Sequence, residues 1–198
     1  PALTCLAATC DREASALYGK SIGEEARYRE KDVLLGPGVN IYRTPYNGRN
    51  FEYMGEDPFL AGEMCVPYIQ NVQKNGVAVC LKHFALNDQE CNRHTADVDV
   101  DDRALYEIYL PAFKKGVLEG DAWSVMASYN LYKGQHVCHN KYLLDGVLKG
   151  EWNFGGAVIS DWGGACDPDQ AAEYGLDLEY GTWTDGLASK GKSSYDSY

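Results

Sequence analysis

Four short strand-like runs, each preceded by a segment with helical spacing, constrain the fold of this chain more than any other feature. The runs span residues 32–35, 77–81, 124–128 and 157–159. The helical patterns span residues 11–30, 60–74, 101–118 and 141–149. Runs of this length are too short for helices, and strands that alternate with helices imply right-handed parallel crossovers. We therefore predict an α/β fold built on a parallel sheet.

The helical segments carry their own boundary signals. Asp11 can cap the first helix, and five apolar residues of that helix fall on one face: Ala14, Leu17, Tyr18, Ile22 and Ala26. Gly76 follows the second helix. Pro111 interrupts the third, which predicts either a kink or two consecutive helices.

Two sheet architectures fit this alternation, a barrel and a doubly wound open sheet. The chain has 198 residues, enough for one domain. No GxGxxG or GxxxxGK[ST] motif follows any strand, which disfavours the nucleotide-binding versions of the open sheet.

The charge of the chain excludes some classes of partner. The net charge is −11, whereas phosphate backbones and anionic membranes attract clustered lysine and arginine. No apolar run approaches the ~20 residues of a membrane span. We expect neither nucleic acid nor a membrane to be a partner. A neutral substrate fits this balance.

The chain has seven cysteines and no CxxC pair. We interpret most of them as reduced, buried thiols. The run His136-Val-Cys-His139 suggests a zinc site, but it lacks a matching second half, so we predict no metal.

Polar groups follow three successive strands. Lys82 and His83 end the second, Tyr129 follows the third, and Asp161 follows the fourth within Gly155-Gly-Ala-Val-Ile-Ser-Asp-Trp162. The carboxyl ends of parallel strands are where α/β barrels keep catalytic groups. A purely structural alternative exists, in which Asp161 caps a helix and Lys82 lies at the surface beside a core histidine.

Two loops add cations to this edge of the sheet, Arg49 and Arg93. A carboxylate surrounded by cations stays ionised, so Asp161 could act as a nucleophile or as a metal ligand. A metal would need several acidic or histidine ligands, and these strand ends offer mostly cations. The pattern therefore favours a nucleophile.

Six runs of the chain carry recognisable motifs: Gly36-Pro-Gly-Val-Asn-Ile41, Asn47-Gly-Arg-Asn-Phe-Glu-Tyr53, Gly55-Glu-Asp-Pro58, Lys82-His-Phe-Ala-Leu-Asn-Asp-Gln-Glu90, Ser128-Tyr-Asn130 and Ile159-Ser-Asp-Trp162. Together they resemble glycoside hydrolase family 3, most closely its β-glucosidase branch. The runs occur in the family's order over residues 1–180. The sequence Asn-Asp-Gln-Glu after the Lys-His pair separates the chain from the β-N-acetylhexosaminidase branch.

The resemblance implies hydrolysis of terminal non-reducing β-D-glucosyl residues from β-glucosides and cello-oligosaccharides, by a retaining double displacement. Asp161 would be the nucleophile and Trp162 an aromatic platform beside the scissile bond. The other substrate-binding residues would be Arg49, Lys82, His83, Arg93 and Tyr129. Glu56 and Asp57 would be structural, with a pairing to Arg49. The family uses no cofactor and no metal.

The resemblance also implies an incomplete (β/α)8 TIM-barrel-like domain. A complete barrel needs ~250 residues, and about four to six β/α units are expected here. We assign residues 1–180 to this partial barrel and residues 181–198 to a polar tail or the start of an interrupted segment. The family's acid/base is a Glu of a separate α/β sandwich domain, and no Glu of this chain matches it. We therefore expect a fragment that is poorly active in isolation.

Two alternatives stay open. The protein could be a β-xylosidase or another β-glycosidase of the same family, because the shared motifs do not separate these substrates. It could also be a non-catalytic sugar-binding remnant. Localisation and oligomeric state are not determined by the sequence.

Overall fold

The computed structural model describes residues 1–181. Within them the strands, in chain order, are β1 (Val33–Leu34), β2 (Ala78–Phe84), β3 (Asp97–Val98), β4 (Ser124–Ala127), β5 (Leu131–Tyr132), β6 (Gln135–His136) and β7 (Ala157–Ser160). The α-helices are α1 (Leu3–Ala7), α2 (Arg12–Tyr28), α3 (Pro58–Gln73), α4 (Asp102–Ala104), α5 (Pro111–Leu118) and α6 (Pro168–Glu173). Two further segments are π-helical, Leu105–Tyr109 and Tyr142–Glu151. The predicted tail lies outside the described residues apart from Gly181.

The main sheet has four parallel strands in the order β1-β2-β4-β7. This spatial order follows the chain in one direction, with helices in each connection. Neighbouring strands of a (β/α)8 barrel follow one another in this way. The prediction of a partial barrel with a parallel sheet is confirmed.

The two faces of the sheet bury different residues. Val79 and Leu81 of β2 belong to the large core shared with the helices. Cys80, Met126 and Ile159 form a separate cluster on the opposite face, packed against Tyr180. Because side chains alternate along a strand, Lys82 continues the face of Cys80, and Asp161 continues the face of Ile159.

Strand β2 is longer than its apolar run. It extends through Lys82 and His83 to Phe84, whereas the sequence predicted that these two polar residues follow the strand. The parallel pairing with β4 resumes at Phe84 after an irregular register that begins at Leu81. Pairing therefore continues past the end of the apolar pattern.

The interruption at Pro111 resolves into two consecutive helices. Pro111 occupies the first turn of α5, where its missing N–H costs nothing. The π-helical segment Leu105–Tyr109 precedes it, and Ile108 is exposed there although 3.6-residue spacing would place it inward.

A small second sheet, β3-β5-β6, was not predicted. Its strands have two residues each, too few to show any periodicity. The β5–β6 hairpin turns at Lys133 and Gly134, whose φ angles are +54° and +76°. These values suit a type I′ turn, in which both central residues have positive φ.

The face that α2 buries agrees in part with the predicted apolar face. Asp11 caps the helix as expected, Ala26 is buried, and Ala14, Tyr18 and Ile22 pack against the core, but Leu17 is 65% exposed. The face also includes the small residues Ser15, Gly19 and Gly23, which the apolar pattern did not predict. A Cβ on Gly19 would lie 2.4 Å from the Tyr68 carbonyl oxygen of α3, so small residues let the two helices approach closely.

The cysteine prediction is wrong in one respect. All seven are free thiols, but only Cys65, Cys80 and Cys138 are buried. The other four are exposed: Cys5, Cys10, Cys91 and Cys166. The exposed ones lie in loops and short helical ends that carry no periodic pattern.

None of the helices in residues 1–181 is both long enough and apolar enough to span a bilayer.

The close contact between α2 and α3 predicts that Gly19→Ala destabilises the fold. The new methyl group would meet backbone atoms of Tyr68, which cannot turn aside. We expect a loss of about 1–3 kcal/mol in the free energy of unfolding, although alanine favours a helix more than glycine does. Urea unfolding of the full-length protein, followed by fluorescence, measures this.

Gly146→Ala is the matched control. Gly146 is exposed in the segment Tyr142–Glu151, and beyond the adjacent turn of backbone the nearest atom to the new Cβ would be Lys141 O, at 3.8 Å. This variant should gain about 0.5–1 kcal/mol. Equal effects of the two substitutions would contradict the close-packing explanation.

Candidate active site

The carboxyl ends of β2, β4 and β7 meet at one edge of the main sheet. Backbone hydrogen bonds continue just past the strands: Ser128 N donates to Phe84 O at 2.8 Å, and Asp161 N donates to Ala127 O at 3.0 Å. The polar residues at these ends are therefore held on neighbouring, ordered backbone. The structure brings together Lys82, His83, Tyr129 and Asp161 as the sequence predicted.

The two carboxylate oxygens of Asp161 have different surroundings. Oδ1 accepts a hydrogen bond from Trp162 N at 2.7 Å. Oδ2 is buried and has no hydrogen-bond partner among residues 1–181. The turn behind it closes through Gly164 N, which donates to Asp161 O at 2.8 Å, with Gly163 at a φ of +70°. The carboxylate is thus held through one oxygen, while the other is enclosed without a hydrogen-bond partner among these residues.

His83 lies beside this second oxygen. Its side chain is almost fully buried, and its Nε2 is 3.7 Å from Asp161 Oδ2. Burial lowers the pKa of His83 well below the ordinary imidazole value, and the cations of Arg49, Lys82 and Arg93 lower it further. The contact is therefore not an ion pair, because the ring is neutral.

Two residues that the sequence did not single out hold His83. Asn40 Oδ1 accepts from His83 N at 2.6 Å, and Asn40 Nδ2 donates to His83 O at 3.0 Å. The Tyr53 hydroxyl lies 3.0 Å from His83 Nδ1. Both residues occur in motif runs of the sequence, but their types alone do not distinguish a supporting role from core packing.

Lys82 is partly buried in the same site. Burial lowers the pKa of its ammonium group, and the charge of Arg49 acts in the same direction, whereas Glu52 and Asp161 oppose this shift. Lys82 stays a hydrogen-bond donor on the face of the sheet that also carries Asp161.

Glu90 connects the two predicted arginines and was also missed. Arg93 Nη1 lies 2.6 Å from Glu90 Oε2, and Arg49 Nη1 lies 3.9 Å from Glu90 Oε1. Arg49 makes its closer ion pair with Glu52, at 2.6 Å. The predicted pairing of Arg49 with Glu56 or Asp57 is therefore wrong: Asp57 instead caps α3, accepting from Phe59 N at 2.8 Å.

Tyr129 lies between Arg93 and the Asp161 turn. The guanidinium carbon of Arg93 is 4.5 Å from the centre of the Tyr129 ring, and the His94 ring centre is 4.3 Å away. Burial, followed by the charge of Asp161, raises the pKa of Tyr129. Its hydroxyl donates to Trp162 O at 2.7 Å and lies close enough to the Asp161 carboxylate to interact with it.

Trp162 is the most exposed residue of the site. Its side chain is 51% exposed and stacks on Tyr180, with ring centres 5.4 Å apart and planes 20° apart. An exposed indole with a fixed orientation can serve as a platform for a sugar or an aglycone ring.

The described residues contain no group of three or more histidine, cysteine or acidic side chains that could hold a metal ion. In the run considered for zinc, the Cys138 thiol is 3.4 Å from Ser128 O. His136 Nδ1 lies 3.0 Å from Tyr129 O. These two side chains thus contact backbone carbonyls.

Chemically, the site combines one anchored carboxylate with a set of hydrogen-bond donors. Asp161 Oδ2 can attack an electrophilic carbon, and Lys82 and His83 can bind hydroxyl groups next to it. Glu52 and Glu90, the carboxylates nearest the arginines, are each engaged by guanidinium groups. The arrangement suits nucleophilic chemistry on a polyhydroxylated substrate.

The family match and the individual relatives found by comparison with known proteins agree with one another. The Glycosyl hydrolase family 3 N terminal domain matches residues 1–175. Beta-glucosidase BoGH3A of Bacteroides ovatus is 66% identical over 198 residues, which is 100% of this chain and 26% of that protein. Thermostable beta-glucosidase B of Acetivibrio thermocellus is 46% identical over 182 residues, 92% of this chain and 24% of that protein.

A solved structure agrees in backbone as well as in sequence. Beta-glucosidase 3B from Thermotoga neapolitana in complex with glucose has a TM-score of 0.92 and 42% identity, covering 100% of this chain and 28% of that chain. The chain therefore spans about a quarter of the length of the curated relatives it matches.

The buried environment of His83 predicts that its ring stays neutral in mildly acidic solution. A proton added to Nδ1 or Nε2 would create a charge in a buried position next to three cations. Ring-¹⁵N histidine spectra of the full-length protein, recorded between pH 7.5 and 6, should show no protonation of His83. A His83→Gln variant assigns the signal, and titration near the ordinary value of about 6.5 would contradict the prediction.

Proposed function

The chain belongs to glycoside hydrolase family 3, and we propose that it forms the nucleophile-bearing part of a retaining β-glucosidase active site. The substrates are terminal non-reducing β-D-glucosyl residues of β-glucosides and cello-oligosaccharides. The relatives described above are β-glucosidases, which supports this substrate class. The enzyme class is glycoside hydrolase.

One observation carries the proposal: the asymmetry of the Asp161 carboxylate. Oδ1 is held by the Trp162 amide at 2.7 Å, and Oδ2 is left without a partner among the described residues, next to neutral His83. Asp57 also caps a helix through one oxygen, but it is exposed to solvent, whereas the second oxygen of Asp161 lies in the buried site beside His83. An unpartnered carboxylate oxygen in that position supports a nucleophile.

In the first step, Oδ2 attacks the anomeric carbon through an oxocarbenium-like transition state. The bond from Oδ2 to that carbon forms as the glycosidic C–O bond breaks. The leaving oxygen takes a proton from a general acid. In the second step, water displaces Asp161 and gives its proton to the same acid/base group, so the configuration is retained.

The acid/base residue is proposed to lie outside this chain, in a separate α/β sandwich domain. The chain spans about a quarter of its relatives' length, which leaves room for such a domain. Glu52 and Glu90 are paired with arginines and are poor candidates for the acid. Two carboxyl groups about 5–5.5 Å apart are needed for retention.

The remaining residues are proposed to bind the terminal sugar. Lys82 and His83 donate to its hydroxyl groups. Arg93 and Arg49, which both pair with Glu90, add further donors to the sugar. Tyr129 supports the nucleophile turn through Trp162 O, and Trp162 supports the aglycone side. Hydrogen bonds of this kind can strengthen as charge develops at the transition state.

The nucleophile assignment predicts covalent labelling of Asp161 by a 2-deoxy-2-fluoroglucoside with a good leaving group. Fluorine slows both steps, and a good leaving group needs no protonation, so the glycosyl-enzyme accumulates. Mass spectrometry of the digested full-length protein should place the label on the peptide containing Asp161. Label on another peptide would refute the assignment, and binding without any label would favour a non-catalytic sugar-binding role.

The same assignment predicts the effect of Asp161→Asn on turnover. Removing the nucleophile should lower kcat on nitrophenyl β-glucosides by at least about 10³-fold, with little change in the free energy of unfolding. Asp145→Asn is the matched control, because Asp145 is an exposed carboxylate outside the site.

A panel that includes β-xylosides tests the substrate: a higher kcat/KM for xylosides would overturn the glucosidase proposal.

A further inference from the structure

The side chain of Tyr53 is buried and tightly packed, although the residue lies in a loop. Its side chain is only 1% exposed. Its ring lies directly over Gly38, where a Cβ would be 2.7 Å from Tyr53 Cδ1. Only glycine leaves room for the ring at this point. The hydroxyl of Tyr53 is thus carried to one fixed position, 3.0 Å from His83 Nδ1.

The His83 ring is fixed as well. The two hydrogen bonds with Asn40 hold its backbone, and the ring meets the Tyr53 ring edge-on, with planes 90° apart. Consequently each ring nitrogen faces one group of the site. Nδ1 faces the Tyr53 hydroxyl, and Nε2 faces Asp161 Oδ2 at 3.7 Å.

A neutral imidazole carries one proton, so two tautomers compete. With the proton on Nδ1, the lone pair of Nε2 would face the carboxylate oxygen, and the two acceptors would repel. With the proton on Nε2, Nδ1 accepts from the Tyr53 hydroxyl and Nε2–H points toward Oδ2. The second arrangement satisfies both nitrogens.

We propose that Tyr53 is a positioning residue that holds His83 in the Nε2–H tautomer, so that the ring presents a donor to a sugar hydroxyl lying beside Asp161 Oδ2. The inference rests on the proposed glycosidase function. The 3.7 Å separation is longer than a direct hydrogen bond. A sugar hydroxyl can accept from Nε2–H and donate to Oδ2, which joins ring, substrate and nucleophile.

The surroundings of Tyr53 keep it a donor. Burial raises the pKa of its phenol above the ordinary value, so the hydroxyl retains its proton. The charge of Arg49 acts in the opposite direction, but burial has the larger effect. The protonated hydroxyl can therefore donate to Nδ1, which lies 3.0 Å from it.

In the opposite tautomer the sugar hydroxyl would face two acceptors, Nε2 and Oδ2, and could donate to only one. One buried acceptor would then lack a partner at the transition state. Tyr53→Phe removes the donor to Nδ1, and with it the hydrogen bond that adds to the preference set by Oδ2, so we expect kcat/KM on a nitrophenyl β-glucoside to fall about tenfold.

A double-mutant cycle with His83→Gln separates this role from packing. A glutamine side chain can place an amide donor near the position of Nε2, and an amide has no tautomers. Tyr53→Phe should therefore cost less than about twofold in the His83→Gln protein. Equal losses in the two backgrounds would show that Tyr53 acts only through packing and would overturn the proposal.

Ring-¹⁵N spectra of the full-length protein provide a second readout that does not depend on activity. His83 should show a protonated Nε2 and an acceptor Nδ1, and Tyr53→Phe should mix the two forms. A proton on Nδ1 in the unmodified protein would overturn the proposal. An unmodified protein without glucosidase activity would contradict the proposed function instead, while the spectra would still report the tautomer.

Tyr68→Phe is the matched control. Tyr68 of α3 is similarly buried, at 3% exposure, and its ring packs against Tyr18 of α2. Its loss of a hydroxyl should leave kcat/KM and the His83 spectrum unchanged. A tenfold loss in this variant would mean that removal of any buried phenol hydroxyl lowers activity, which would contradict a specific role for Tyr53.

Discussion

The parallel pairing of β2, β4 and β7 is the constraint on which the site depends. Two backbone hydrogen bonds, Ser128 N to Phe84 O and Asp161 N to Ala127 O, extend the pairing past the ends of β4 and β7. They bring groups distant in sequence, from Lys82 to Asp161, to one edge of the sheet. Without this register, the carboxylate would have no donors around it.

The basic side chains around this edge do not all face the Asp161 carboxylate as cations. His83 is neutral because it is buried beside cations, and the two arginines are joined through Glu90 instead of facing the carboxylate directly. The Asp161 carboxylate therefore lies among donors, and no lysine or arginine within residues 1–181 forms an ion pair with it. A carboxylate locked to a guanidinium group would be stabilised in the ground state and would be a weaker nucleophile.

The sequence was most informative where one pattern was repeated. Alternating helical and apolar segments predicted the parallel sheet, and polar strand ends predicted Lys82, His83, Tyr129 and Asp161. Supporting residues were not predictable in this way, because the roles of Asn40, Tyr53 and Glu90 arise only when distant loops fold onto the strand ends. The helix contacts of Gly19 and Gly23 on α2 were also missed, since glycines at a helix contact leave no hydrophobic signal.

The central claim is that Asp161 attacks through Oδ2 while Oδ1 stays bound to the Trp162 amide. A crystal structure of the full-length protein trapped with a 2-deoxy-2-fluoroglucoside tests it most directly. The account predicts a covalent bond from the anomeric carbon to Oδ2, with the Trp162 N–H still donating to Oδ1. A sugar bonded to Oδ1, or to any residue other than Asp161, would contradict it.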